Sequence, residues 1–444
     1  MVEEKSILKT VLFRDFSKWN VNLYLNNFDI KYKWKPVSLE KIMRPRKERI
    51  KNKDYKGQFP IVEKIRFSDG KVFFREEKNP KTDLNVSCVN DLLVSNINFE
   101  KGAFAINTFE TIVTSTDYQS YELLVPIDFD YFNQILRTEK FLLQVKSLKS
   151  GGMKTRARYD FLKQFEIPVP PISEQKAIVQ KYQDTISKAV DFEKEAEKLI
   201  IFKENYIQNI LGIPLIDDTI QSTLLSYSKF SDLLDKWTIS PLQSEINEKL
   251  RLSKYRLDKI SSLNCVTRSW KKKEYKEKKF DYIEIGGINP ETEEISSVQL
   301  EVSKAPSRAT QLVYKGDLIF GMTRPYLKKF AIVDTAHDGF ICSSGFQVIQ
   351  PSENYNLHFI LELLKSNVCI SQFKEAMTGA LYPALNAEQL GNIRIPLPPL
   401  PVQNEIVEHI NQIKAQVKDL RQQAKELREK AKLEFERSVF EKND

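Results

Sequence analysis

The chain has 444 residues, too many for one ordinary hydrophobic core and enough for several domains. Its 41% hydrophobic and 29% charged residues are those of an ordinary globular protein, and no run approaches the roughly 20 uninterrupted apolar residues that a bilayer helix needs, which argues against a membrane protein. The net charge is +8, and the three histidines (His337, His358, His409) and four cysteines (Cys88, Cys265, Cys342, Cys369) fall at no metal-ligand spacing, which argues against a zinc site, a disulfide framework and histidine catalysis.

Residues 1–30 read as an N-terminal helical segment, without the layout of a secretory signal, so a cytoplasmic address is expected. Residues 31–172 then mix short apolar runs, such as DLLVSNI and YELLVP, with turn signals and one helical stretch, DYFNQILRTEKFLLQVKS, and form an α+β unit. A basic run, KIMRPRKERIKNKDYK, opens this unit with Lys41, Arg44, Arg46, Lys47, Arg49, Lys51, Lys53 and Lys56. Near its end, Gly151 and Gly152 permit close backbone approach beside Lys154, Thr155, Arg156 and Arg158.

A proline cluster leads into residues 173–212, a charged stretch that holds neither Pro nor Gly before Gly212 and reads as one long helix. Ser173 suits its N-cap and Gly212 a left-handed stop. Val179, Tyr182, Ile186, Ala189, Ala196, Ile200, Ile207 and Ile210 keep heptad spacing, with Glu193 and Lys203 as breaks.

Residues 213–250 form a linker with a helical segment, and 251–400 a second α+β unit. Its basic run, RSWKKKEYKEKK, carries Arg268, Lys271, Lys272 and Lys273. Arg324 and Tyr326 follow the end of a short strand and are expected to be exposed. Gly379, Tyr382 and Asn386 occupy the place of the glycine-containing zone of the first unit, and NLHFILELLKSNVCISQFKEA reads as a single helix. Residues 401–444 form the second long helix, with Pro401 suited to its first position and a seam of Ile406, Ile410, Ile413, Val417, Leu420, Ala424, Leu427 and Ala431. All four cysteines read as buried thiols.

The chain repeats itself once. IPVPPISEQKAIVQKY from Ile167 reappears as IPLPPLPVQNEIVEHI from Ile395, an offset of 228 that aligns Gln175 with Gln403. SYELLVPID aligns with GFQVIQPSE at 225, Asp91 with Asp317 at 226, and both Leu39 with Leu257 and Trp19 with Trp237 at 218. Two matching seams invite pairing as an antiparallel coiled coil, each helix roughly 58 Å long, which would give the duplicated chain a pseudo-twofold axis.

Charge follows the repeat. Residues 31–171 hold 26 Lys and Arg against 18 Asp and Glu, and residues 251–400 hold 20 against 16, so the remainder of the chain is net acidic. Two basic modules are the electrostatic footprint of a polyanion binder, with the Lys and Arg runs as phosphate contacts. A phosphate-binding loop, a dinucleotide fingerprint, a zinc-protease motif, a nucleophile elbow and the Asn/Asp-Pro-Pro-aromatic motif of amino-methyltransferases are all missing, which favours a binding module over an enzyme. A sequence-specific reader and a coiled-coil scaffold with nonspecific nucleic-acid affinity both remain consistent with these residues.

The duplicated I-P-[VL]-P-P with its following glutamine, the two long helices and the two differing units before them resemble the DNA-specificity subunit of type I restriction-modification systems over nearly the whole chain. The resemblance implies two target-recognition domains that read the halves of a split double-stranded DNA target. It implies helices that set the unread spacer and dock two modification subunits, with restriction and translocase subunits in the full complex. It also implies no cofactor on this chain, S-adenosylmethionine, ATP and Mg²⁺ belonging to the partners.

Overall fold

The computed structural model describes residues 30–76, 79–147, 158–216, 245–377 and 383–441. It divides into two compact units, Met1–Phe192 with Gln422–Asp444, and Glu193–Arg421. Trp19 and Trp237 lie outside the described residues.

The first unit is built on a four-stranded antiparallel sheet in the order Met43–Pro45, Tyr118–Leu123, Leu92–Ser95, Phe104–Ile106. The second repeats that order with Cys265–Val266, Phe346–Ile349, Leu318–Gly321 and Phe330–Ile332. Asp91 and Asp317 precede equivalent strands, as the repeat predicts. Two other alignments need correction. Tyr121 faces Leu92 and Ile349 faces Leu318, so Tyr121 corresponds to Ile349 and the offset of this strand is 228 rather than 225.

Likewise, the two-stranded pairings Val37 with Ile167 and Asp258 with Ile395 make Leu39 the counterpart of Ile260, not of Leu257. Both residues are fully buried, and both donate a backbone N–H to the strand-leading loop, Leu39 to the Phe165 carbonyl at 2.8 Å and Ile260 to the Ile393 carbonyl at 3.0 Å. Burial and hydrogen bonding set this correspondence, where residue identity misleads by three positions.

Each expected single helix before the proline cluster is two helices: Phe129–Ile135 with Glu139–Ser147, and Leu357–Lys365 with Asn367–Ala376. The break is the same in both. Thr138 Oγ1 donates to the Ile135 carbonyl at 2.7 Å and Ser366 Oγ to the Leu363 carbonyl at 2.6 Å, so a hydroxyl takes a carbonyl that an uninterrupted helix would bond by a backbone N–H. The two pieces fold back over the sheet. In the second unit Phe320 stacks on Phe330 at 4.2 Å and meets Phe373 at 5.2 Å, and each such buried ring contributes about 2–3 kcal/mol.

The long helices run Ile172–Leu211 and Leu400–Val439. Each starts earlier than expected: Gln175 N–H bonds the Pro171 carbonyl and Gln403 N–H the Pro399 carbonyl, so prolines are the caps, Ser173 lies inside the first turn of the first helix, and Pro401 is the second residue of the second helix rather than its first. Gly212, at φ +71°, ends the first helix as expected, with Ile213 N–H returning to the Gln208 carbonyl at 2.9 Å. Within the first unit Tyr182 meets Phe435 at 5.9 Å and Lys181 pairs with Glu434; within the second, Tyr206 meets His409 at 4.3 Å, and Ile207 and Leu211 share a core with Ile406 and Ile410. Early residues of one helix meet late residues of the other in both units, which is antiparallel pairing.

Ile207, Ile410 and Ile413 are buried in the seam, and Ile186, Val417, Leu420 and Leu427 are half-buried along it. Ile200 does not belong to it: its side chain is at the surface beside exposed Ile201 and Phe202, while Leu199 is half-buried. The helical repeat of 3.6 residues drifts against a strict heptad, and over this stretch the inward face passes from position 200 to 199. The cysteine expectation holds for Cys342 and Cys369 only; Cys88 is half-buried, and Cys265, on the outermost strand of its sheet, is exposed. No helix among the described residues is long and apolar enough to cross a membrane.

Outside the shared frame the units diverge. The first adds a three-stranded sheet (Arg49–Ile50, Leu84–Ser87, Ile112–Thr114) and a separate hairpin (Val62–Ile65, Val72–Phe74). The second adds a four-stranded sheet, Val298–Glu301, Lys279–Ile283, Ile341–Ser343, Ala309–Leu312, with one parallel pairing.

Candidate nucleic-acid interface

The first basic run starts in the short helix Leu39–Ile42, passes through the strand Met43–Pro45 of the shared sheet and leaves it toward the divergent part. Arg44 pairs across the strands with Glu122 at 2.7 Å, both partly in solvent. Arg46, two residues further on, forms a two-pronged hydrogen bond with Asp91, Nε to Oδ2 at 2.5 Å and Nη2 to Oδ1 at 2.8 Å, with side-chain exposures of 17% and 3%. The hydrogen bonds to Asp91 raise the guanidinium pKa above its ordinary value despite desolvation. Beyond it Lys47, Arg49, Lys51, Lys53 and Lys56 are all exposed.

The second unit repeats this lock. Arg268 donates to Asp317, Nη1 to Oδ2 at 2.5 Å and Nη2 to Oδ1 at 3.0 Å. Asp91 also accepts the Cys88 N–H and Asp317 the Tyr314 N–H, each at 2.8 Å, so both carboxylates close the turn that leads into a central strand while they hold the basic run. Arg46 and Arg268 are therefore committed to internal carboxylates; exposed Lys41 and Arg44 precede Arg46, and the other solvent-facing cations of the two runs follow the locked arginines. Trp270, buried against Tyr275 and Phe280, anchors the second run. Lys271 pairs with Glu274 at 3.0 Å, Lys272 donates to the Ser303 carbonyl at 2.9 Å, and Lys273 is exposed.

The remaining sequence candidates are scattered. Lys154, Thr155, Arg156 and Tyr382 lie outside the described residues, and Arg158 is exposed at the head of the short helix Tyr159–Leu162. Arg324 and Tyr326, expected to be exposed, are half-buried. Arg324 takes the left-handed conformation at φ +50° and donates its N–H to the Pro383 carbonyl, and Tyr326 packs on the hydrophobic core, because the chain after Gly321 folds inward onto residues 383–385. Asn386 caps the helix Ala387–Gly391 in a reciprocal box with Gln389, which occupies the side-chain oxygen.

Two ionic or aromatic clusters go unmarked in the sequence, and the repeated glutamines, which the sequence does mark, acquire a role only in the structure. The repeated glutamines fasten the proline cluster: Gln175 accepts the Asp128 N–H and donates to the Pro170 carbonyl, and Gln403 accepts the Asn356 N–H and donates to the Pro398 carbonyl, all at 2.7–2.8 Å. In the second unit Glu362, buried, accepts from Lys203 and Lys414, while Glu293 accepts from Lys365 and Lys414. Burial works against the charge of Glu362, but Lys203 and Lys414 outweigh it and hold its carboxyl well below the usual range. In the first unit, the hairpin places Lys64, Arg66 and Lys71 around the Phe73 ring at 5.2–6.0 Å from its centroid. Its signal was present as the Asp69-Gly70 turn between two apolar runs.

Among the described residues no group of three His, Cys, Asp or Glu side chains is placed to hold a metal. The geometry offers two separate basic surfaces on a common frame, suited to contact with phosphates.

Comparison with known proteins agrees with that frame. The family model described as the type I restriction modification DNA specificity domain matches residues 31–200 and again residues 252–429. The chain is 30% identical over 124 residues to the EcoDI type I restriction enzyme specificity subunit of Escherichia coli, covering 28% of this chain and 27% of that one. It is 28% identical over 116 residues to the HindI specificity subunit of Haemophilus influenzae, covering 25% of each. The matched stretches thus span about a quarter of these two relatives. A chain from a structure of the type I R-M system, described by its complex assembly and conformational transition, superposes with a TM-score of 0.57 at 14% identity, covering 91% of this chain and 97% of that one, which shows a common fold. With both halves matched by one family model, the chain belongs to the type I restriction-modification DNA specificity domain family.

Proposed function

We propose that this chain is a non-catalytic, sequence-specific DNA-binding subunit that reads a bipartite double-stranded target and directs type I modification and restriction subunits to it. The observation that carries the reading is the duplicated frame with divergent outer sheets: the same four-stranded sheet and the same Arg–Asp lock support two different surfaces, each with its own basic run. Equal scaffolds with unequal faces suit two unequal half-sites. The exposed cations Lys47, Arg49, Lys51, Lys53 and Lys273 position each unit on phosphates, while side chains of the divergent sheets read base edges. The long antiparallel helices act as the spacer and as the docking surface for two modification subunits. S-adenosylmethionine belongs to those subunits, and ATP and Mg²⁺ to the restriction subunits.

The test is methylome sequencing of cells that express this chain with its neighbouring methyltransferase subunit, compared with cells that lack the chain. A new split motif with a fixed spacer is the expected result. A soluble complex with no new motif would overturn the reading in favour of a scaffold with nonspecific nucleic-acid affinity.

A further inference from the structure

We propose that the hairpin Val62–Ile65/Val72–Phe74 is a phosphate-gripping element of the first unit, in which Lys64 and Lys71 flank the Phe73 ring to hold a phosphate of the DNA backbone. This rests on the DNA-binding reading above and adds residues outside the basic run.

The two faces of the hairpin differ in kind. Val62, Ile65, Val72 and Phe74 turn inward and pack with Leu93, Ala105 and Ile112, and a bulge between Val62 and Lys64 puts Glu63 and Lys64 outside together. On the outer face, three cations share one aromatic ring, with Lys64 Nζ at 5.2 Å, Lys71 Nζ at 5.7 Å and the Arg66 guanidinium carbon at 6.0 Å from the Phe73 centroid. Arg66 has a partner in Asp69, which satisfies it within the turn. Among the described residues no carboxylate forms an ion pair with Lys64 or Lys71, though both crowd the same ring. Each ammonium lies within range of the ring's negative face, and two like charges beside one ring favour the approach of an external anion.

The seat is also rigid, which a binding element requires. Gly70 is left-handed at φ +79°, and a Cβ there would come within 2.7 Å of Arg137 Nη2 and the Phe104 carbonyl. At Gly102 a Cβ would come within 2.4 Å of the Phe67 carbonyl. Arg137 in turn donates to the Gly102 and Phe104 carbonyls at 3.2 and 2.8 Å and lies 4.0 Å over the Phe104 ring. The turn is thus held from below by two glycine contacts and a buried guanidinium, while Phe67 at its tip remains exposed. A two-stranded ribbon of this kind is narrow enough for a major groove, where phosphates flank it on either side.

The experiment measures binding of the full-length chain to labelled duplexes of unrelated sequence between 50 and 200 mM salt, by fluorescence anisotropy. Each neutralised phosphate contributes about 0.9 to the slope of log K against log salt, so Lys64→Ala with Lys71→Ala, which empties the one phosphate seat, is expected to reduce the slope by about 0.9 and to weaken all duplexes by the same factor. Lys64→Arg with Lys71→Arg is expected to restore the wild-type slope, which separates charge from folding. An alanine variant with an unchanged slope overturns the hairpin assignment and leaves the DNA reading standing. A wild-type chain with no salt-dependent binding overturns both.

Discussion

Arg46 closes a two-pronged hydrogen bond on Asp91, and the same bond recurs between Arg268 and Asp317. In each case a carboxylate at the entry to a buried strand holds an arginine of a basic run. Two arginines that the sequence places among the candidate DNA contacts are thereby part of the frame that holds the basic runs.

Replacing Arg46 with Ala is expected to destabilise the first unit by about 3 kcal/mol, because Asp91 keeps its burial and loses its counter-charge. Urea unfolding of the full chain measures this, and the first-unit transition should shift with little change in the salt slope of DNA binding. A reduced slope at unchanged stability would make Arg46 a phosphate contact instead.

Gln403→Ala is expected to cost about 2 kcal/mol through the loss of two buried hydrogen bonds, to the Asn356 N–H and the Pro398 carbonyl. Gln175→Ala should cost a similar amount in the first unit, since it makes the equivalent pair. Thermal unfolding of the two variants checks whether the repeated glutamine has one role in both copies.

Glu362 gives a pH signature to the second unit. Its folded pKa is depressed by Lys203 and Lys414, so its stabilising contribution is full above the unfolded value of about 4.3 and is lost as pH falls through that value toward the lower folded one. Stability of the second unit should decline from about pH 5 downward. Glu362→Gln should flatten that decline and lower stability at pH 7 by about 3 kcal/mol, as expected when one partner of a buried ionic group is removed. Denaturation midpoints from pH 3 to 7 for both proteins test it.

Ile410→Asp and Ile200→Asp separate the real seam from the apparent one. Ile410 is 0% exposed and its replacement should cost upward of about 3 kcal/mol, whereas Ile200, 38% exposed, should tolerate the charge within about 0.5 kcal/mol. Equal losses in a chemical denaturation series would restore Ile200 to the seam.

Replacing Lys47, Arg49, Lys51 and Lys53 together with Ala should weaken every duplex by the same factor, because all four are exposed cations on one run. Competition between unrelated duplexes measures this; a change in the preferred sequence would mark at least one of the four as a base reader.

Duplication, the antiparallel helices and the α+β character were legible in the chain because they rest on period and identity: the proline clusters, the seam of isoleucines and alanines, and the aspartates at equivalent strand entries. Local competition was less legible. Thr138 and Ser366 interrupt helices whose apolar pattern runs on across them, because one hydroxyl bonds a carbonyl three residues back. The alignment of Leu39 slipped by three for a related reason, since either of two nearby apolar residues satisfies the pattern and only Ile260 fills the buried position.

What the sequence determined by itself is therefore the repeated frame and the location of net positive charge along the chain, both of which are properties of composition and spacing. Only the tertiary structure decided which cations face solvent. Arg46 finds Asp91 across 45 residues, Arg268 finds Asp317 across 49, and Lys64 and Lys71 gather on Phe73 through a turn and a bulge. Whether a charged side chain is satisfied within the protein or left for a ligand depends on distances that close only when strands are paired, and one-dimensional spacing does not contain them.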